Sequence, residues 1–175
     1  MSKLATAALV AIERQGRHRY FRLADADVAT ALEGLMPLAA RAGHLRTRTG
    51  PRDPELRRAR SCYDHLAGEL AVAMFDRFIE QRLLARRGDA LHVTDDGRRF
   101  MAKSGIDVMA IERGRRPLCR CCLDWSERRS HLGGALGAAI LDVVLARSWA
   151  VRERRTRVVR FSAAGEQKMK AWFSR

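Results

Sequence analysis

Two short segments contain cysteine and histidine residues that could supply the ligands of a metal ion. Cys62 and His65 are three residues apart, which places them on one face if the segment is helical. Cys122 and His131 flank the start of a second segment of similar sequence. A thiolate and an imidazole from each segment make the Cys2His2 ligand set of tetrahedral zinc sites.

A structural role for these four residues stays open, because their spacing matches no compact metal-binding motif. Buried cysteine commonly packs as a small apolar residue. The two histidines can instead form hydrogen bonds near the helix starts. Apart from a metal ion at these residues, the sequence predicts no cofactor.

A second group of thiols indicates redox chemistry as a further alternative. Cys119, Cys121 and Cys122 are close together and lie among arginines, namely Arg115, Arg116, Arg120 and Arg128. Nearby positive charge lowers the pKa of a thiol and favours the reactive thiolate. The group lacks the Cys-x-x-Cys spacing of redox motifs, so a thiol redox protein is the less favoured interpretation.

The sequence contains no recognisable catalytic constellation. It has no nucleophile elbow, no phosphate-binding glycine loop and no His-Glu-x-x-His motif. We therefore expect a protein that is not an enzyme.

The composition indicates a polyanionic partner. The 175 residues include 34 Lys and Arg against 20 Asp and Glu, a formal net charge of +14. Such an excess is typical of proteins that bind nucleic acid. No apolar run has the length of a membrane span, and no signal peptide is recognisable. The sequence predicts a cytoplasmic protein with four reduced cysteines and no membrane partner.

The amino-terminal pattern predicts a charged β-hairpin between two helices. In residues 10–24, VAIERQGRHRYFRLA, apolar and polar residues alternate around Gln15-Gly16-Arg17. Residues 1–9 have the composition of a helix end. Asp25 can cap a second helix, over 26–41, whose apolar stripe consists of Val28, Leu32, Leu35 and Met36.

The rest of the chain predicts a linker at 42–53 and a long helix. Asp53-Pro54-Glu55 is a helix start, and we expect the helix to continue to Leu84, with a break near Gly68. Segment 66–87 then aligns with 132–153 as an internal repeat. Each copy continues into a hairpin and a Thr/Ser-x-x-Gly helix start, at Thr94 and Ser162. We expect Trp125 to pack between the copies and Ser126-Glu127 to begin a helix.

These patterns predict a mainly α fold with short β-hairpins, built from tandem winged-helix-like units. The predicted domains are a partial DNA-binding domain at 1–41, the linker at 42–53 and a carboxy-terminal region at 54–175. That region contains the two winged-helix-like repeats, at about 62–101 and 128–172.

Residues 2–24, SKLATAALVAIERQGRHRYFRLA, resemble the recognition-helix end and wing of ArsR-type winged-helix transcriptional regulators. Arg17, Tyr20, Phe21 and Leu23 match the wing, and Ala8 replaces the usual glycine. The segments RTGPRDPELRRARSCYDHLAG and CLDWSERRSHLGGALGAA are similar to the long carboxy-terminal region of one subgroup. The resemblance implies further helices of the DNA-binding domain before residue 1.

The resemblance also implies a function, a partner and a set of binding residues. ArsR-type regulators bind operator DNA as dimers and release it when an effector binds. By this resemblance the DNA contacts would come from Ser2, Lys3, Arg14, Arg17, His18 and Arg19. Residues 26–41 would form the homodimer. The alternative is a truncated dimerisation or partner-binding module without DNA binding of its own.

Overall fold

The computed structural model describes residues 2–16, 18–41, 50–88 and 90–174. The chain divides into two compact units, Met1–Arg48 and Thr49–Arg175, which are termed the first and second units. Most of the predicted linker, residues 42–49, lies outside the described residues, and so does Arg17.

The first unit has the order of elements that the sequence pattern predicts. It consists of α1 (Ser2–Thr6), the antiparallel hairpin β1 (Val10–Gln15) and β2 (His18–Leu23), and α2 (Ala26–Arg41). Asp25 caps α2 as predicted, because its Oδ1 accepts a hydrogen bond of 2.9 Å from the backbone N–H of Val28. Helix α2 continues past Pro37 to Arg41.

The second unit is a series of short hairpins and helices. In chain order these are α3 (Pro54–Arg58), β3 (Arg60–Cys62), β4 (His65–Ala67), α4 (Glu69–Glu80), β5 (Leu84–Arg87), β6 (Ala90–Val93), α5 (Asp95–Lys103), α6 (Val108–Glu112), β7 (Arg120–Leu123), β8 (Ser130–Gly133), α7 (Gly134–Ala146), β9 (Ala150–Arg152), β10 (Val159–Phe161) and α8 (Ala163–Phe173).

The prediction of a mainly α fold of tandem winged-helix-like units is wrong. The described residues form eight helices and ten strands, and the strands make five separate two-stranded antiparallel hairpins. The predicted helix from Pro54 to Leu84 begins at Pro54 but ends at Arg58. The backbone then reverses at Tyr63, whose φ of +58° lies outside the helical region, and forms the unpredicted hairpin β3–β4. Hairpin β7–β8 was not predicted either.

The two aligned segments share one order of elements and pack against each other reciprocally. Each begins in the second strand of a hairpin, β3–β4 or β7–β8, and continues into a long helix, α4 or α7. Helix α4 contacts β8 of the other copy, and α7 contacts β4. Both helices contribute to one hydrophobic core, whose buried side chains include Leu70, Phe78, Met101, Leu136, Ile140, Leu141, Met169 and Trp172.

Glycine is required at the helix starts that follow β6 and β10. Thr94 and Ser162 cap α5 and α8 as predicted, with hydroxyl oxygens that accept 3.0 Å hydrogen bonds from Gly97 and Gly165 N–H. A Cβ on Gly165 would lie 1.9 Å from the carbonyl oxygen of Trp149. This separation is far below van der Waals contact, so a side chain at residue 165 would displace the backbone.

We expect Gly165→Ala to lower the free energy of unfolding by about 1–3 kcal/mol, the usual cost of an overpacked core position. The measurement is urea unfolding followed by circular dichroism. Ala164→Ser is the control, because Ala164 is exposed in the same helix and its substitution should change stability by less than about 0.5 kcal/mol. Equal midpoints for the two variants would contradict the close approach of Trp149.

Candidate metal centre and candidate nucleic-acid interface

The unpredicted hairpins place each cysteine directly opposite a histidine. Cys62 pairs with His65 across β3–β4, and Cys122 pairs with His131 across β7–β8. Directly opposed residues in an antiparallel pair have their side chains on the same face. Each hairpin therefore presents one thiol and one imidazole side by side. The sequence-based placement of Cys62 and His65 on one helical face is wrong, although their proximity is confirmed.

The structure brings all four residues into one cluster. One ligand atom from each of Cys62, His65, Cys122 and His131 lies within 4.8 Å of the others. The two Sγ atoms are 3.9 Å apart, and the imidazole centroids are 5.2 Å apart. Both histidines and Cys122 are buried, whereas Cys62 is half-buried. In the described part of the chain, no other group of three or more His, Cys, Asp or Glu side chains is close enough together to bind one metal ion.

The imidazoles lie near carboxylates but are incompletely hydrogen-bonded. His65 Nδ1 is 3.3 Å from Asp64 Oδ1, and His131 Nδ1 is 3.6 Å from Asp124 Oδ2. His65 Nε2 and both ring nitrogens of His131 are buried and form no hydrogen bond with the described residues. A buried polar group without a hydrogen bond lowers the free energy of unfolding by about 1–3 kcal/mol. Packing of the protein alone therefore does not explain why these ring nitrogens are buried.

The two clustered thiols differ in their acidity. The Cys122 thiol, assisted by the two imidazoles, lowers the pKa of Cys62 against the opposite effect of burial. The pKa of Cys122 is raised by its interaction with Cys62 and by burial. The pair therefore loses its first thiol proton more readily than its second.

Cys119 does not have the reactive thiolate that its arginine-rich surroundings predict. Burial, followed by the charge of Cys121, raises the pKa of Cys119 to about 12. The charge of Arg98 acts in the opposite direction but is the weaker influence. A thiol this weakly acidic is protonated at neutral pH, which disfavours the redox alternative at this residue.

Asp124 connects the two hairpins beside the cluster. It is fully buried and accepts a 2.6 Å hydrogen bond from Arg60 Nη2 and a 2.7 Å hydrogen bond from the backbone N–H of Gly68. Ser126 adds hydrogen bonds from its backbone N–H and its hydroxyl. Burial raises the pKa of Asp124, but these hydrogen bonds and the charge of Arg60 outweigh it and lower the pKa to about 2.

In the first unit, the hairpin β1–β2 has an apolar base and a cationic end on one face. Ile12 lies opposite Phe21, and Arg14 lies opposite Arg19, two residues nearer the turn. All four side chains are exposed, and within the described residues neither arginine forms an ion pair. Among the other predicted contacts, Ser2 and Lys3 lie in α1 and His18 begins β2, whereas Arg17 lies outside the described residues.

Comparison with known proteins shows one informative similarity. The chain is 41% identical over 166 residues to YdfF of Bacillus subtilis (strain 168), an uncharacterized HTH-type transcriptional regulator, and the alignment covers 95% of this chain and 74% of YdfF. This chain belongs to the family of HTH-type transcriptional regulators. No protein-family model matches the chain, and no solved structure matches it.

Sequence reasoning did not single out Arg60 and Asp124 in this regulator. They are 64 positions apart, and no local spacing rule links them. The adjacent Trp125 was expected to pack between the copies, but it is 41% exposed, and its ring centroid lies 5.0 Å from the Arg60 guanidinium carbon. Ser126 and Glu127 lie in the turn between β7 and β8 and do not begin a helix.

No helix in the described residues is long and apolar enough to cross a membrane.

We expect Asp124→Asn to destabilise this regulator by about 3–5 kcal/mol, because it leaves Arg60 as an uncompensated buried charge. The measurement is chemical unfolding of the purified variant. Asp96→Asn is the matched control, since the side chains of Asp96 and Arg99 form an ion pair in which both are 67% exposed. Loss of this pair should lower the free energy of unfolding by less than about 1 kcal/mol. A similar loss in both variants would show that burial of the Asp124 pair does not matter.

Proposed function

We propose that the chain is a DNA-binding transcription regulator of ArsR type that acts in the cytoplasm. It binds operator DNA as a homodimer and releases the DNA when an effector changes the geometry of the dimer. The 41% identity to an HTH-type transcriptional regulator carries the regulatory role. The exposed cationic end of β1–β2 supports the DNA contact, and the resemblance to ArsR-type wings supports the subgroup. No enzymatic activity is proposed.

The opposed pair Arg14 and Arg19 favours a polyanionic ligand at this hairpin. Like charges directly across an antiparallel pair repel each other. Phosphate groups relieve this repulsion, and the displacement of counterions from DNA adds to the affinity. In this proposal Ser2, Lys3, Arg17 and His18 also contact the DNA, and these contacts position the protein on the duplex.

The distribution of ion pairs supports the same surface. The salt bridges found among the described residues all lie in the second unit, where arginines such as Arg58 and Arg160 pair with carboxylates. Among the described residues, nine of the 26 lysines and arginines of that unit are paired in this way, and the unit keeps a net positive charge. The described arginines of β1–β2 have no such partner and are available to phosphate.

Apolar side chains on α2 support a homodimer. Leu32 and Leu35 are three residues apart, and they are 44% and 56% exposed. None of the described residues of the first unit belongs to the buried core. In this proposal α2 packs against the same helix of a second chain, and the resulting two-fold symmetry matches that of palindromic half-sites.

The same exposed apolar surface favours one second candidate function. Ile12 and Phe21 lie on the face of the hairpin that contains the two arginines, and they are 47% and 40% exposed. A dimerisation or partner-binding module without DNA binding of its own would cover this surface with protein. Measurement of DNA binding separates this candidate from the regulator that contacts DNA directly.

We expect the double variant Arg14→Ala/Arg19→Ala to weaken the binding of duplex DNA and to reduce the slope of log K against log salt by about 2, one unit for each lost phosphate contact. The measurement is fluorescence anisotropy with a labelled duplex at several salt concentrations. Arg86→Ala/Arg87→Ala is the control, because it removes the same charge from exposed positions of hairpin β5–β6. A slope that falls equally in both variants would contradict a specific role of β1–β2.

We expect Leu32→Glu/Leu35→Glu to convert a dimer into a monomer, because charged side chains would be desolvated in the interface. Sedimentation equilibrium at micromolar concentration measures the change. Val151→Glu, at a position of β9 that is 59% exposed, should leave the dimer intact. A wild-type chain that sediments as a monomer, or a double variant that stays dimeric, would refute the proposed interface.

A further inference from the structure

The Cys62–His65–Cys122–His131 cluster contains potential metal-ligand atoms that have no hydrogen-bond partner among the described residues. His65 Nε2 and both ring nitrogens of His131 form no hydrogen bond with described residues, although all three atoms are buried. Buried polar groups in native proteins nearly always have a partner. Two such imidazoles next to two thiols form a set of metal ligands, and one metal cation can bind all four groups.

The distances within the cluster fit tetrahedral coordination. Zinc–sulfur bonds of about 2.3 Å at the tetrahedral angle place two sulfurs about 3.8 Å apart. The observed Sγ–Sγ distance is 3.9 Å, and all four ligand atoms lie within 4.8 Å of one another. A disulfide requires the sulfurs to be about 2.05 Å apart, so the cluster is spaced for a bridging cation and not for a covalent bond.

A carboxylate lies next to each imidazole in the position that metal sites commonly use. Asp64 Oδ1 is 3.3 Å from His65 Nδ1, and Asp124 Oδ2 is 3.6 Å from His131 Nδ1. A hydrogen-bonded carboxylate orients a ligating histidine and leaves Nε2 for the metal, as Asp64 does for His65, whereas Asp124 lies just beyond hydrogen-bond distance of His131. Both carboxylates are themselves held in place, Asp64 by Arg116 and Asp124 by Arg60.

The backbone leaves room at the ligand nitrogen of His65. A Cβ on Gly133 would lie 3.2 Å from His65 Nε2, a tighter approach than side chains normally make. Gly133 is the last residue of β8, two positions after His131. The absence of a side chain at this residue leaves room beside His65 Nε2.

We propose that Cys62, His65, Cys122 and His131 bind one Zn²⁺ ion in a closed tetrahedral site that cross-links hairpins β3–β4 and β7–β8. Two thiolates and two imidazoles are the ligand set and geometry typical of zinc. Four protein ligands leave no open position for substrate, so the ion has a structural role. This inference concerns the second unit alone and does not depend on the proposed DNA binding.

The cross-link has a defined structural consequence. Hairpins β3–β4 and β7–β8 each supply one cysteine and one histidine, so the ion joins the two hairpins where they meet. Binding releases the thiol protons and converts both cysteines to thiolates. In the bound state the positive ion offsets the repulsion between the two neighbouring thiolates.

The first test measures metal in the wild-type full-length chain. We expect one zinc per chain by elemental analysis after purification without added metal. Replacement by Co²⁺ should produce the intense visible absorption of a tetrahedral ion and a thiolate-to-cobalt charge-transfer band. A filled site holds about one zinc per chain, so less than about 0.1 zinc per chain after incubation with ZnCl₂ would overturn the proposal. Cobalt absorption without the thiolate band would overturn it as well.

The second test uses ligand variants with matched controls. We expect Cys62→Ser and Cys122→Ser each to weaken zinc binding by at least about 100-fold, more than the loss of an outer-sphere partner does. Cys119→Ser and Cys121→Ser should keep wild-type affinity and the full charge-transfer band. Circular dichroism confirms that each variant is folded. Equal loss of zinc in the Cys119 or Cys121 variants would assign the metal to other thiols and overturn the proposal.

The third test separates metal coordination from a disulfide and examines the carboxylate. Asp64→Asn should weaken zinc binding by about 10–100-fold with the thiolate band retained, whereas Asp96→Asn should have no effect.

Alkylation of the freshly purified protein with and without a chelator, followed by mass spectrometry, reports the state of the thiols. Protection of Cys62 and Cys122 that the chelator removes supports zinc, and protection that only a reductant removes would overturn the proposal.

Discussion

The buried ion pair between Asp124 and Arg60 determines how the second unit is assembled. A charged carboxylate without solvent is stable only when donors surround it, and Asp124 obtains them from Arg60, Gly68 and Ser126. Arg60 and Gly68 lie in and directly after hairpin β3–β4, whereas Asp124 lies in the turn of hairpin β7–β8. The ion pair therefore fixes the position of β7–β8 against β3–β4. The convergence of the two cysteine–histidine pairs and the reciprocal packing of α4 and α7 depend on this juxtaposition.

The two units differ in whether their described arginines form ion pairs with carboxylates. In the second unit, arginines pair with carboxylates across elements distant in sequence, as Arg58 does with Glu69 and Glu166. In the first unit, Arg14 and Arg19 face each other on an exposed hairpin and form no ion pair within the described residues. Internal compensation suits a unit that must hold its own core together. Unpaired charge on an exposed hairpin suits contact with a phosphate backbone.

Local patterns in the sequence were sufficient where short-range interactions decide the structure. The alternation of apolar and polar residues located β1–β2, and Asp25, Thr94 and Ser162 were identified as helix caps that the structure confirms. The same reasoning failed between Pro54 and Leu84, where an Ala/Leu-rich segment was taken for one helix. There the positive φ at Tyr63 and Gly68 reverses the chain, and burial of the resulting hairpin against α7 stabilises it. Propensity is a weak guide when packing favours another conformation.

The sequence by itself determined the identity of the reactive side chains, the excess of positive charge and the internal repeat. It did not determine that Cys62 and His65 are equivalent to Cys122 and His131, because the first pair is three residues apart and the second pair is nine residues apart. Only the tertiary structure decided this, since the strand register of each hairpin places the cysteine directly opposite the histidine although the two turns differ in length. The convergence of the two pairs then follows from long-range contacts among β4, β8 and the core helices, which no local pattern encodes.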